Sequence, residues 1–171
     1  MPAAFGTWSP LETRNPVSVS IARQPVFDER RRLWGYELFC IGFPEQTSVA
    51  ISVQSSAYMC LQQMMDRRKK IIVDFSEKSI LENLPYALPP VLAAVKVMEH
   101  AAQNPQVMEL LSGLKSDGYL IAVAGFSGNP DCAPLYQLAD IIDIDVTHKE
   151  KDALAASLAP ARRHNASLLA M

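Results

Sequence analysis

Apolar positions along the chain recur with two different periods, and the switches between them mark out the elements. Residues 17–24 and 33–40 are rich in β-forming side chains and flank the polar stretch 28–32, which predicts two strands joined by a hairpin connection. Across 48–67, Val49, Val53, Ala57, Met64 and Met65 recur at helical intervals, and the basic residues 67–70 follow where positive charge complements a helix C-terminus. Short apolar runs at 71–75, 91–98, 119–126, 141–146 and 167–170 then read as strands. Between them, 79–84, 104–115, 132–138 and 149–163 read as helices. Strands apolar on both faces and separated by helices imply a parallel sheet with crossover connections, an α/β barrel or a doubly wound sheet. Residues 1–16, with Pro2, Pro10, Pro16 and Gly6, show no period and are expected to form a flexible tail ahead of one domain over 17–171.

Composition narrows the partners more than the fold. A chain of 171 residues with a formal net charge of -2 offers no basic field for phosphate backbones, so nucleic acid is not an expected partner. No apolar stretch reaches membrane-spanning length free of proline or charge, so a cytoplasmic protein with no membrane partner is expected. Cys40, Cys60 and Cys132 are widely spaced, with no Cys-x-x-Cys, and read as reduced thiols. His100, His148 and His164 likewise stand apart without ligand spacing, and Trp34 beside the first hairpin reads as packing.

The polar residues at the expected strand ends carry the candidate chemistry: Glu37, Asp74, Lys96 with Glu99, and the pair Asp143 and Asp145. Because strand side chains alternate, Asp143 and Asp145 are expected on one face. Neighbouring carboxylates can hold a divalent cation, although solvated or salt-bridged strand ends are the better explanation from the residues alone.

In this order and spacing the motifs resemble the EAL domain, closest in flavour to the EAL half of EAL-HDOD proteins. Ile21-Ala22-Arg23-Gln24-Pro25-Val26-Phe27-Asp28 with Gly35-Tyr36-Glu37-Leu38-Phe39 is similar to the family's opening hairpin. Ile72-Val73-Asp74-Phe75-Ser76 resembles its Asn strand, and Val95-Lys96-Val97-Met98-Glu99 its Glu-x-x-Glu strand. The stretch 114–126 is similar to the approach to Asp-Asp-Phe-Gly, Ala139 to Asp145 to the Lys-x-Asp strand, and Leu168-Leu169-Ala170 to the start of the Ala-Glu strand. The resemblance implies a modified TIM barrel with an antiparallel first strand, and a metal-assisted phosphodiesterase acting on cyclic di-GMP with two Mg²⁺ or Mn²⁺ ions.

Carried over position by position, Glu37 and Asp145 match retained acids, and Asp74 stands at the asparagine ligand. Lys96 stands at the first glutamate of Glu-x-x-Glu, Ala124-Gly125 at the Asp-Asp pair, and Asp143 at the lysine. Ile41 stands at the phosphate-gripping arginine and Met171 at a further glutamate. Glu99 matches a loop-anchoring glutamate, but the loop itself has become Phe126-Ser127-Gly128-Asn129-Pro130.

The expectation is therefore a degenerate EAL-like module with no bound metal or cofactor, working through a protein partner or an adjoining domain such as HDOD. Nucleotide sensing without catalysis is the alternative, and active hydrolysis a weaker one. Lys96 is expected to replace the lost metal charge by bridging two of Glu37, Asp74, Asp143 and Asp145, unless it snorkels to solvent. An eight-stranded barrel needs roughly 200 residues or more. The barrel is thus expected to be incomplete in this chain, which is read either as a fragment of a longer protein or as a homo-oligomer covering its open edges.

Overall fold

A computed structural model describes residues 20–41, 68–147 and 151–171. The helix expected within 48–67, the tail 1–16, Cys60 and His148 lie outside the described residues. Strands β1 (Ser20–Phe27) and β2 (Leu33–Ile41) pair antiparallel, with Gln24 opposite Glu37. The turn between them is closed by Asp28, whose backbone N–H donates to Arg32 O at 2.9 Å, while Arg31 takes the left-handed conformation at φ 57°. Five parallel strands follow: β3 (Lys70–Asp74), β4 (Ala93–Met98), β5 (Leu120–Ala124), β6 (Ile141–Ile144) and β7 (Ser167–Ala170). All seven form a single curled sheet in chain order, part of an α/β barrel whose first strand is antiparallel, as the hydrophobic pattern and the family resemblance imply.

The crossovers contain α1 (Glu77–Leu81), α2 (Pro105–Ser116), α3 (Ala133–Leu138) and α4 (Lys151–Ala161). Their starts are locally encoded. Ser76 caps α1 by accepting Ser79 N–H at 3.2 Å, and Asn104 caps α2 by accepting from Gln106 N–H at 3.2 Å ahead of Pro105. Where boundaries differ from the sequence pattern, the cause is a turn. Pro89 O accepts Leu92 and Ala93 N–H, so β4 begins at Ala93 rather than at 91. Gly125 at φ 74° ends β5 two residues before Phe126.

The convex face of the sheet packs Leu38, Val73, Val95, Val97, Ile121, Val123 and Ile142 against Leu111, Leu114, Leu135 and Tyr136 of the helices. The concave face holds Val26, Ile72, Ala94, Ala122 and Ile141, with Trp34 and Leu169 packed partly against them. Two residues further along the same strands, the period-two alternation brings Asp74, Lys96, Ala124 and Asp143 onto this concave face. The concave wall thus turns from apolar to charged toward the C-terminal strand ends. Among the described residues no helix is long and apolar enough to cross a membrane.

Candidate functional site

Lys96, midway along the sheet, is the hub of that charged end. Its Nζ donates to Glu37 Oε1, lies 2.8 Å from Asp143 Oδ2, and lies 3.8 Å from Asp74 Oδ1. The Lys96 side chain is only 9% exposed, Glu37 is fully buried, and Asp143 is 6% exposed. The expectation that Lys96 bridges acids matches this geometry, and the snorkelling alternative does not. Asp74 is half exposed and sits at the rim.

One ammonium among three carboxylates leaves the acids under-compensated. Glu37 Oε2 and both Asp143 oxygens are buried without a hydrogen-bond partner, the 2.8 Å contact to Lys96 being an ion pair outside hydrogen-bond geometry. Burial pushes the Asp143 carboxyl up, the Lys96 contact opposes this, and the Glu37 charge adds to it. Burial likewise raises Asp74 against the pull of Lys96, with Glu37 and Asp143 reinforcing the rise. Burial alone would lower Lys96, but its contacts with Asp143 and Glu37 and the Asp74 charge win, and its ammonium is held more firmly than an ordinary lysine's.

The fourth acid expected in this cluster goes elsewhere. Asp145 lies just past the end of β6, exposed, and its Oδ1 accepts Thr147 N–H at 2.9 Å and Thr147 Oγ1 at 2.5 Å. Asp143 and Asp145 therefore do not act as a carboxylate pair on one strand face, because the chain turns after Ile144 and Asp145 closes that turn. Asp145 still lines a depression of about 190 Å³ over the cluster, together with Lys96, Ala124, Gly125, Asp143 and Met171. The positions singled out in the sequence as lost family ligands thus do converge with Lys96. Ile41 ends β2.

A pair of divalent cations would need free space and donor atoms among these acids. Lys96 Nζ already fills the space between Glu37 and Asp143, and Ala124 offers no donor atom. Gly125 offers none either, and a β-carbon there would meet Met98 Cε at 3.0 Å with the backbone in the left-handed region. The residues present do not fit a two-metal centre. Among the described residues no group of three His, Cys, Asp or Glu side chains is arranged to hold a metal ion.

Glu99 keeps an anchoring role despite the altered loop. Its Oε2 accepts Ser127 N–H at 2.8 Å and the Tyr136 hydroxyl at 2.5 Å, fixing loop 125–130 beside the depression. Burial would raise the Glu99 carboxyl, but these two bonds hold it below the ordinary range. Phe126 packs on Tyr136 with ring centroids 4.7 Å apart, and His164 packs at a tilt 5.1 Å from Tyr136, so this histidine serves packing. Tyr136 had no signal in the sequence, where it reads as the apolar face of a short helix. Cys132 beside it is buried, which raises its thiol and keeps it unreactive.

A curled sheet with one antiparallel strand, parallel crossovers and a charged cluster at the C-terminal strand ends defines a partial barrel of the TIM type. Comparison with known proteins finds the same likeness, to EAL-domain proteins. The chain is 26% identical over 159 residues to the cyclic di-GMP phosphodiesterase CdgJ of Vibrio cholerae, covering 84% of this chain and 37% of CdgJ. Among solved structures it superposes on the EAL-domain protein YkuI of Bacillus subtilis, in complex with substrate cyclic di-GMP and calcium, with TM-score 0.64 and 18% identity. That match covers 89% of this chain and 47% of YkuI. BlrP1 of Klebsiella pneumoniae, in a manganese and cyclic di-GMP complex, matches with TM-score 0.67 and 15% identity over 95% of this chain and 51% of its own. No family model matches the chain. It spans little more than a third of the length of CdgJ.

Proposed function

We propose that this chain is an EAL-like module that does not hydrolyse cyclic di-GMP and acts in signalling by binding a protein partner. The observation that carries the reading is the Lys96 ammonium between Glu37 and Asp143, where a metal-dependent phosphodiesterase of this fold would need divalent charge. An ammonium offsets carboxylate repulsion but has no open coordination position at which to polarise water or a phosphate oxygen. The other replacements support the same reading. Ala124, Gly125 and Met171 around the depression supply no ligand oxygen from their side chains, and Asp143 places negative charge where an anionic substrate would lie.

Nucleotide sensing without turnover is the second reading, favoured by the cyclic di-GMP complexes of YkuI and BlrP1. Against it, the depression of about 190 Å³ is smaller than the roughly 300–1,000 Å³ of pockets that hold drug-sized ligands. The carboxylates at its floor would also repel the two phosphodiester anions of a cyclic dinucleotide.

The test is a hydrolysis assay of purified protein with Mg²⁺ or Mn²⁺, expected to give no linear dinucleotide. Turnover that follows the protein through purification and vanishes in Glu37→Ala would overturn the reading. For the partner, affinity capture from the native organism is expected to retain a stable protein, and capture of none in repeated trials counts against it.

A further inference from the structure

The end of the sheet opposite the Lys96 cluster carries charge of the other sign. There the β1–β2 turn carries Arg30, Arg31 and Arg32, and Arg68, Lys69 and Lys70 stand at the start of β3. The two segments are tied together, since Lys69 Nζ donates to Leu33 O at 2.6 Å. Lys70 Nζ donates to Val91 O at 2.7 Å, so both lysines are held by carbonyl groups that leave their charge unneutralised. Among the described residues of these two segments, Arg30, Arg31, Arg32, Lys69 and Lys70 stand against two acidic side chains, Asp28 and Glu29, in a chain whose formal net charge is -2.

Asp28 is consumed within the turn. Its carboxylate accepts Arg30 N–H at 2.9 Å and Arg32 N–H at 2.8 Å, and pairs with the Arg32 guanidinium at 2.8 Å. The turn is therefore fixed before any partner arrives, and it projects Arg30 and Arg31 into solvent with no ion-pair partner among the described residues. Two apolar side chains flank the basic cluster: Phe27 at 57% and Val91 at 70% exposure.

We propose that this end of the sheet is a docking surface for a carboxylate-rich segment of a partner protein that carries an apolar side chain. The proposal deepens the interaction reading above and rests on it for the kind of partner. Guanidinium forks pair with carboxylates through two parallel charge-assisted hydrogen bonds, and a preformed turn lowers the ordering cost of binding. Phe27 and Val91 give the apolar side chain a place to leave water beside those charges. A flat anionic bilayer would press against Asp28 and Glu29 in the same turn, whereas an extended chain can pass beside them. The exposed Phe27 and Val91 beside the charges favour a peptide with an apolar side chain over a nucleic-acid backbone.

Fluorescence anisotropy of the full chain with a fluorescein-labelled peptide of aspartate and glutamate around one leucine tests the surface. Saturable binding is expected, weakened roughly tenfold or more by the R30E/R31E double substitution and by raised salt. Phe27→Ser should weaken the leucine peptide and leave a leucine-free peptide unchanged. Circular dichroism checks that the variants fold, and R30Q/R31Q replaces R30E/R31E if the reversed charges disturb the turn. The proposal is overturned if the parent does not bind the peptide, if the arginine variants bind equally well, or if phosphatidylserine vesicles or duplex DNA are preferred over it. Absence of peptide binding without nucleotide hydrolysis removes this surface alone, while hydrolysis of cyclic di-GMP removes the reading above.

Discussion

Substituting Lys96 by methionine removes the ammonium from the buried cluster while keeping much of the stem's volume. At an effective dielectric constant of about 20, the 2.8 Å contact with Asp143 amounts to about 6 kcal/mol of Coulomb attraction, and the 3.8 Å contact with Asp74 to about 4 kcal/mol. Desolvation of each ion cancels several kcal/mol of this, so the intact cluster contributes little net stability. Breaking it is different, because Glu37 and Asp143 stay buried and lose their counter-charge. The expected cost of Lys96→Met is about 3–5 kcal/mol at neutral pH. A domain of this size loses about 2–4 °C of Tm per kcal/mol, so a fall of about 6–20 °C is expected. Urea unfolding gives the free energy directly. Adding Glu37→Gln or Asp143→Asn to Lys96→Met should recover part of the loss, because each removes one of the stranded charges. Asp145→Asn should not, since its carboxylate serves Thr147. A Lys96→Met protein as stable as the parent would refute the reasoning, and so would equal recovery from Asp145→Asn.

Further expectations follow from the surroundings of the cluster. Asp143 binds its proton above the ordinary carboxylate value when folded, so its contribution to stability falls as pH rises from near 3.8 through the raised folded value. Asp143→Asn should therefore gain on the parent as pH rises through that window, and thermal melts across acidic to neutral pH that run parallel would contradict it. Tyr136→Phe removes one of two hydrogen bonds to the Glu99 carboxylate and should cost about 1–3 kcal/mol, with faster amide exchange at Ser127 as the local signature. Gly35→Ala places a β-carbon against Lys70 O across the β2–β3 pair and should destabilise by at least about 1–3 kcal/mol in chemical denaturation.

Much of the fold was legible because strands buried on both faces are apolar throughout: residues 72 and 73 face opposite sides of the sheet, and both are fully buried. The antiparallel start was legible in the polar stretch 28–32 between two β-rich runs. Lys96 was legible as a charge within the apolar run 93–98, where only buried partners make an ammonium tolerable. What sequence spacing could not show is side-chain direction after a strand stops. Asp145 shares the parity of Asp143, yet the turn closed by Thr147 takes it out of the buried cluster. Tyr136 was hidden for another reason: its ring is core while its hydroxyl is the functional part, and hydrophobic patterning reports only the ring. The basic run at 67–70 read as capping of a helix that lies outside the described residues; spacing did not show that Lys70 opens β3 or that Lys69 bonds across to Leu33 O, a contact between residues 36 positions apart.

The claim that Lys96 stands in for metal charge is tested most directly by Mn²⁺ titration followed by electron paramagnetic resonance. With the parent protein, the free Mn²⁺ signal is expected to match that of buffer, because the space between Glu37 and Asp143 is already filled by Nζ. Stoichiometric loss of that signal in the parent, restored by Glu37→Gln, would contradict the account.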